Sequence, residues 1–323
     1  MIRSCSVLVS LGLPLAIPSV VAMSTTAATT TRVIDSHLHV WASESEAPTF
    51  PYAEGQDPPT TLQNVASGAA LVEQMEKSGV SGALIVQPIN HKFDHSYVID
   101  AMTKYPDRFK GMLLHDPSLP ESEAVSQLED LVLKGFVGVR FNPYLWPKTG
   151  EKSWTPMSST DAGLAVYKRC GELQAPVGVM CFQGLQLHYD DIVALLKASP
   201  ETTMILDHFG FTSFTDEGNA AFAQLLELVA YPQVIIKISA LFRLNDSSPY
   251  DKVKTERLEP LLEKFGAERL MFGTDFPFVL EQPGAYGGTV DLVKSWLSKD
   301  EALCAQVMSG TSERVFGAWG LPN

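Results

Sequence analysis

Two histidines one residue apart, His37 and His39, are the first groups in this 323-residue chain arranged to do chemistry. They lie in Val33-Ile34-Asp35-Ser36-His37-Leu38-His39-Val40-Trp41, whose apolar, β-branched residues mark a buried strand. Alternation along a strand turns both imidazoles to one face and Leu38 to the other. Imidazoles held side by side can grip a divalent metal or orient a polarised oxygen. The pattern is short, and it equally describes two satisfied histidines at a strand end.

Other polar groups share its position. Gln87, His115, Arg140 with Asn142, His208 and Asp275 each close an apolar run. Those runs are Ala83 to Pro88, Phe109 to His115, Phe136 to Asn142, Met204 to His208 and Arg269 to Asp275; Pro176 to Phe182 and Val234 to Ser239 are two further apolar runs. Between them lie stretches of helical periodicity: Ala69–Ser78, His95–Tyr105, Glu121–Lys134, Asp161–Leu173, Asp190–Ala198, Ala220–Ala230 and Tyr250–Phe265, with Thr289–Leu297 and Glu301–Met308 at the end. Apolar strands separated by helices imply parallel pairing with right-handed crossovers. Eight such units predict a single (β/α)8 TIM barrel over residues 33–323. In that fold the strand C-termini converge on one mouth, where active sites lie. The polar strand ends therefore predict a catalytic mouth.

Composition narrows the partners. A net charge of −13 and a pI near 5.0 argue against nucleic acid or an anionic membrane surface, leaving a small molecule as the expected partner. Association into a homo-oligomer is left open. Cys5, Cys170, Cys181 and Cys304 show no C-x-x-C spacing, and no disulfide framework is expected. Residues 1–32 read as a targeting leader: one early positive charge, an apolar core from Val7 to Val21, then an acid-free Ser/Thr-rich stretch. Such a leader directs the chain to the secretory pathway or a plastid. Translation from Met23 would instead leave it in the cytoplasm.

His37-Leu38-His39, Asp207-His208-Phe209-Gly210 and Gly273-Thr274-Asp275-Phe276-Pro277 resemble the amidohydrolase superfamily. More narrowly, they are similar to its amidohydrolase-related (amidohydrolase 2) group, near the sugar-lactone and 2-pyrone-4,6-dicarboxylate lactonases. The longer blocks Gln87 to His95 and Arg140 to Pro147 look similar to a plant and algal branch. The resemblance covers roughly Arg32 to Trp319 and implies a barrel hydrolase. It departs from metal-dependent members at the fifth strand, Val179-Met180-Cys181-Phe182-Gln183, which has no histidine. No lysine is placed to bridge two metals, so a binuclear site is not expected. His37, His39, His208 and Asp275 could hold one zinc ion, and the resemblance implies that some members work without metal.

The reaction expected is hydrolytic opening of a lactone or similar ester of a small organic or sugar acid. Asp275 would act as general base, with burial raising its pKa. His37, His39 and His208 would polarise the carbonyl, as hydrogen-bond donors or through a metal. Arg140 has the fork geometry to hold a carboxylate, or an ion pair that braces its loop. Asn142, Tyr144, Gln87 and His91 stand on post-strand loops, as substrate contacts or scaffold. Lys237 points into the barrel, toward Asp275 or into a structural salt bridge below it. His115 reads as a structural cap, His188 as a helix start or surface group, and Asp35 as a tie for the first strand. The competing readings are a metal-dependent nonoxidative decarboxylase on the same barrel and a non-catalytic small-molecule binding barrel.

Overall fold

The β-branched runs become eight parallel strands: β1 (Ile34–Leu38), β2 (Gly82–Val86), β3 (Phe109–Leu114), β4 (Phe136–Phe141), β5 (Val177–Val179), β6 (Met204–Leu206), β7 (Val234–Ile238) and β8 (Leu270–Phe272). They pair in sequence order. Just past the strand ends, Leu38 bridges Phe276, and His39 N donates to Phe276 O at 2.7 Å, bringing β8 back against β1. The computed structural model describes residue 1 and residues 31–320. The expected leader lies outside the described residues except for Met1, Thr31 and Arg32, and Arg32 pairs with Glu313 at 3.3 Å. Among the described residues no helix is long and apolar enough to cross a membrane.

Each strand feeds a helix that covers the barrel. The first six are α1 (Gly68–Lys77), α2 (Ser96–Lys104), α3 (Glu121–Leu133), α4 (Asp161–Glu172), α5 (Tyr189–Ala198) and α6 (Asp216–Glu227). Helix α6 starts earlier than its apolar pattern, because the Thr215 hydroxyl caps Gly218 N at 3.1 Å. The expected Tyr250–Phe265 helix is a composite: Asp251–Val253, a wide turn over Lys254–Leu258, then Glu259–Phe265. Pro260 has no N–H to return to Glu256, and the chain widens just before it. After β8 comes Ala285–Leu297. The expected helix from Glu301 stops at Ala305, opens into a wide turn over Gln306–Gly310 and resumes as Thr311–Phe316. A two-stranded hairpin, Lys148–Gly150 with Ser153–Trp154, adds a flap after β4 that the sequence pattern did not announce.

Alternation sorts the strands into two layers. Ile34, Leu84, Met112, Ile205, Ile235 and Met271 form one cluster with Phe316 and Trp319: the barrel interior with its plug. Their neighbours Ala83, Ile85, Val139, Ile236 and Phe272 pack outward under the helices. Above the apolar interior the same inward faces carry Arg140, Asp207 and Lys237. A polar layer therefore rests on an apolar one, and the mouth rests on both.

Candidate active site

A bulge aims the histidine pair. Between Asp35 and Leu38 the register against β2 slips by one residue. Ile34 consequently packs inside the barrel while Leu38, four residues on, packs outside. Without the slip both would share a face. The slip thus turns His37 and His39 inward. Asp35 fixes the junction: its carboxylate accepts from Thr274 N at 2.9 Å, Thr274 Oγ1 at 2.6 Å and His37 N at 3.2 Å. The expected tie is present, and it spans β1 to the segment after β8. Gly273 permits that approach, since a Cβ there would stand 2.8 Å from His37 Cβ.

The opposite strands end in unusual backbone. His208, Phe209 and Phe211 after β6, Ala240 after β7 and Asp275 after β8 all have φ between +52° and +64°. Non-glycine residues avoid that region, and a run of them at one rim is strain held by its surroundings. It directs His208 and Asp275 over the mouth.

Beneath the rim lies a buried ionic layer. Asp207 Oδ1 meets His37 Nδ1 at 3.1 Å and Lys237 Nζ at 3.3 Å, and Asp207 Oδ2 lies 3.5 Å from Arg140 Nη2. Lys237 Nζ also stands 3.1 Å from His37 Nδ1. Burial would raise the Asp207 pKa, but Lys237 and Arg140 outweigh it and hold the carboxyl below its usual range. Burial and the neighbouring Arg140 hold Lys237 below its ordinary value. Lys237 therefore serves Asp207 in the lower layer; the expected reach to Asp275 is not made, because Lys237 sits too deep in the barrel.

Asp275 is held instead by Arg243, which donates from Nε at 2.8 Å and lies within 2.7 Å through Nη2, both to Oδ2. Its other oxygen, Oδ1, faces three imidazoles: His39 Nε2 at 3.6 Å, His208 Nε2 at 3.8 Å and His37 Nε2 at 3.9 Å. Burial pushes the Asp275 pKa up to about 6, against the pull of Arg243. Burial, then the charge of Arg140, lowers His39 to about 3. Burial also holds His37 and His208 well below the usual histidine range. All three rings are neutral at pH 7, so these contacts are not ion pairs.

The second nitrogen of each ring is anchored. His39 Nδ1 donates to Val86 O at 2.8 Å, which leaves a lone pair on Nε2. His208 Nδ1 bonds Ser239 Oγ at 2.7 Å, and His37 Nδ1 rests against Asp207. His37 Nε2 is buried without a partner. His37, His39 and Asp275 offer ligand atoms within 4.8 Å of one another. Ligand atoms around a tetrahedral zinc stand roughly 3.4 Å apart, and outer-sphere anchoring of the far nitrogen is typical of metal-bound histidine. These residues fit one divalent cation, with His208 at the edge of the set.

A cavity of about 450 Å³ opens above them, lined in part by His39, His208, Asp275, Arg140, Asn142, Tyr144 and Gln87. His37 lies one layer deeper. His91, expected at the substrate, does not line the cavity: Nδ1 bonds Pro51 O at 3.0 Å and Nε2 accepts from Ala42 N at 3.3 Å, bracing the loop after β1. Gln87 and Asn142 are both wall and scaffold, Gln87 donating to Lys92 O and Asp94 O and Asn142 accepting from Tyr144 N. His115 packs under Phe141 and Trp146, away from the cavity. His188 opens α5 but is buried against Tyr144 and Trp154 instead of lying on the surface. Cys181, Cys170 and Cys304 are buried free thiols. Sequence reasoning missed Arg243 and Ser239. Their only signal was position, just beyond a barrel strand.

Fold and site together define an amidohydrolase-type barrel. The Amidohydrolase family matches residues 34–318, and the chain belongs to it. It is a hydrolase of that family, as expected. It is 28% identical over 296 residues to a 4-sulfomuconolactone hydrolase of Rhizobium radiobacter, covering 88% of this chain and 89% of that protein. An L-fucono-1,5-lactonase of Burkholderia ambifaria is 25% identical over 298 residues, covering 88% and 92% respectively. Among solved structures, a probable 2-pyrone-4,6-dicarboxylic acid hydrolase of Acinetobacter baumannii, with citric acid bound, superposes with a TM-score of 0.72 at 18% identity, over 88% of this chain and 99% of that one. These three are bacterial proteins and give no support to the expected plant and algal branch.

Proposed function

We propose that this chain opens a lactone, or a similar ester, of a small organic or sugar acid by general-base hydrolysis. The observation that carries the reading is the asymmetry of Asp275. Arg243 occupies Oδ2, and Oδ1 is left facing three neutral imidazoles at 3.6, 3.8 and 3.9 Å on the cavity floor. A water placed there loses its proton to Oδ1 while its oxygen attacks the carbonyl carbon. The ring oxygen leaves and takes that proton back from Asp275. A carboxyl with a pKa near 6 suits a group that must both accept and return a proton near neutrality.

Each neighbour has a defined part. His39 presents a lone pair, so it accepts a hydrogen bond from the water and does not donate to the carbonyl. His37 and His208 hold the floor beside it, their far nitrogens fixed by Asp207 and Ser239. Arg140 lines the cavity with a buried, unpartnered Nε that can recognise a substrate carboxylate. Tyr144, Asn142 and Gln87 shape the wall. His37, His39, His208 and Asp275 would hold a divalent cation, which supplies Lewis-acid polarisation of the carbonyl when bound.

The two relatives, one a 4-sulfomuconolactone hydrolase and the other an L-fucono-1,5-lactonase, support this reading. The donor set that fits a cation also keeps a metal-dependent nonoxidative decarboxylase as the second reading. Metal content by plasma mass spectrometry, paired with lactone hydrolysis before and after chelation, tests both. Lactone opening is the expected result, whether or not metal is retained. Tightly bound zinc with no lactone opened, but carbon dioxide released from a carboxylated aromatic acid, would replace the proposal with the decarboxylase.

A further inference from the structure

Resting on that reading, the walls of the cavity narrow the lactone. Trp41, Met180, Phe182, Phe211 and Phe278 stand around it. Phe182 and Phe211 meet edge to face with centroids 5.7 Å apart, and Phe182 remains 55% exposed. Phe278 packs against His39 at 6.2 Å and Trp41 at 5.9 Å between centroids. The Arg243 guanidinium lies 5.1 Å over the Phe278 ring. The reacting position is therefore walled by aromatic surface up to the catalytic carboxyl.

The polar residues of the remaining wall are largely committed to the protein itself. The Gln87 amide donates to Lys92 O and Asp94 O, and the Asn90 amide to Gln56 O. Asn142 Oδ1 accepts from Tyr144 N, and the Tyr144 hydroxyl accepts from Gln183 N at 2.7 Å. What stays available is Gln87 Oε1 and Trp41 Nε1, both buried without a partner, together with the Asn142 amide, the Tyr144 hydroxyl proton and the Gln183 side-chain amide. A sugar lactone carries hydroxyls around its whole ring. On the aromatic flank Trp41 Nε1 and the Gln183 side-chain amide are too few to partner them all, so most would lose their water and gain no partner.

We infer that the preferred substrate is a lactone bearing one acidic group and an apolar or aromatic arm, not a polyhydroxylated sugar lactone. The acid faces Arg140 and Arg243, and the arm lies along Met180, Phe182 and Phe211. This places the chain apart in substrate chemistry from a relative named for a sugar lactone.

The test compares kcat/KM of the full chain on ring-matched lactone carboxylates, one bearing a phenyl or butyl arm and one hydroxylated at its ring carbons. The apolar substrate is expected to be preferred by about 100-fold. Replacing the exposed Phe182→Ser should cut that preference about tenfold; an unchanged ratio counts against the inference. Equal rates, or preference for the hydroxylated substrate, overturn the inference and leave lactone hydrolysis standing. If no lactone is opened, the functional reading fails separately. Calorimetry with ring-matched cyclic ethers, which cannot be opened, then decides the inference: tighter binding of the phenyl compound supports it, and equal or tighter binding of the hydroxylated one overturns it.

Discussion

Arg243 clamps one oxygen of Asp275 and leaves the other free: Nε and Nη2 lie 2.8 and 2.7 Å from Oδ2, and neither is paired with Oδ1. The pairing fixes which lone pair faces the floor, and it restrains a carboxyl that burial pushes toward the protonated form. Replacing Arg243→Gln should lower kcat/KM about 10²-fold, because roughly 1 Å of misplacement in a reacting group has that cost. Arg243→Lys should recover part of the loss. Steady-state kinetics on the best lactone checks both, and equal rates for Gln and wild type would remove Arg243 from the account.

Asp207 pairs with two buried cations, Lys237 and Arg140. Asp207→Leu should destabilise the protein by about 3–5 kcal/mol, since it strands charge in the interior. Adding Lys237→Met should return part of that loss. Denaturant unfolding of the single and double variants reads the coupling, and strictly additive losses would mean the pair is energetically independent.

Gly273 is required by proximity. An alanine Cβ there would lie 2.8 Å from His37 Cβ and 2.9 Å from His37 N. Gly273→Ala should cost about 1–3 kcal/mol and displace His37. Gly288, where a Cβ meets nothing within 4 Å, is the control and should be neutral or better as alanine. Comparable thermal shifts for the two variants would refute the close-approach argument.

His95 provides a pH test away from the mouth. Its Nε2 accepts from Leu114 N at 3.0 Å, and burial lowers its pKa to about 4 from the ordinary 6.5. The folded state thus binds this proton less readily than the unfolded one. The contribution is complete above pH 6.5 and is lost as the pH falls toward 4, at up to about 1.4 kcal/mol per pH unit. Asp35 and Asp275, both raised to about 6, act in the opposite sense between 3.8 and 6. Comparing wild type with His95→Gln cancels them. Unfolding midpoints should fall more steeply with acid in the wild type; parallel curves would contradict the assignment.

Much of this architecture was legible in the chain. Eight apolar runs became eight strands, and His37, His39, His208 and Asp275 stand together because each closes one of them. Lys237 illustrates the limit. Alternation between Ile236 and Ile238 turns it inward, but its choice of Asp207 over Asp275 depends on depth in the barrel, which strand stagger sets and spacing does not encode. Arg243 reaches Asp275 from a short helical turn launched by the left-handed Ala240, a conformation no motif announces. His91 looked like a mouth residue by its loop, yet its partners Pro51 and Ala42 come from a segment 40 and 49 residues earlier.

The central claim is that Asp275 moves the proton in lactone opening. The most direct measurement is the hydrolysis rate of Asp275→Asn beside wild type, with far-ultraviolet circular dichroism and melting temperature recorded on the same samples. Asparagine keeps the shape of the side chain and cannot take the proton. The account predicts a folded variant with turnover reduced about 10²–10⁴-fold. A folded variant that opens lactones at the wild-type rate would contradict it.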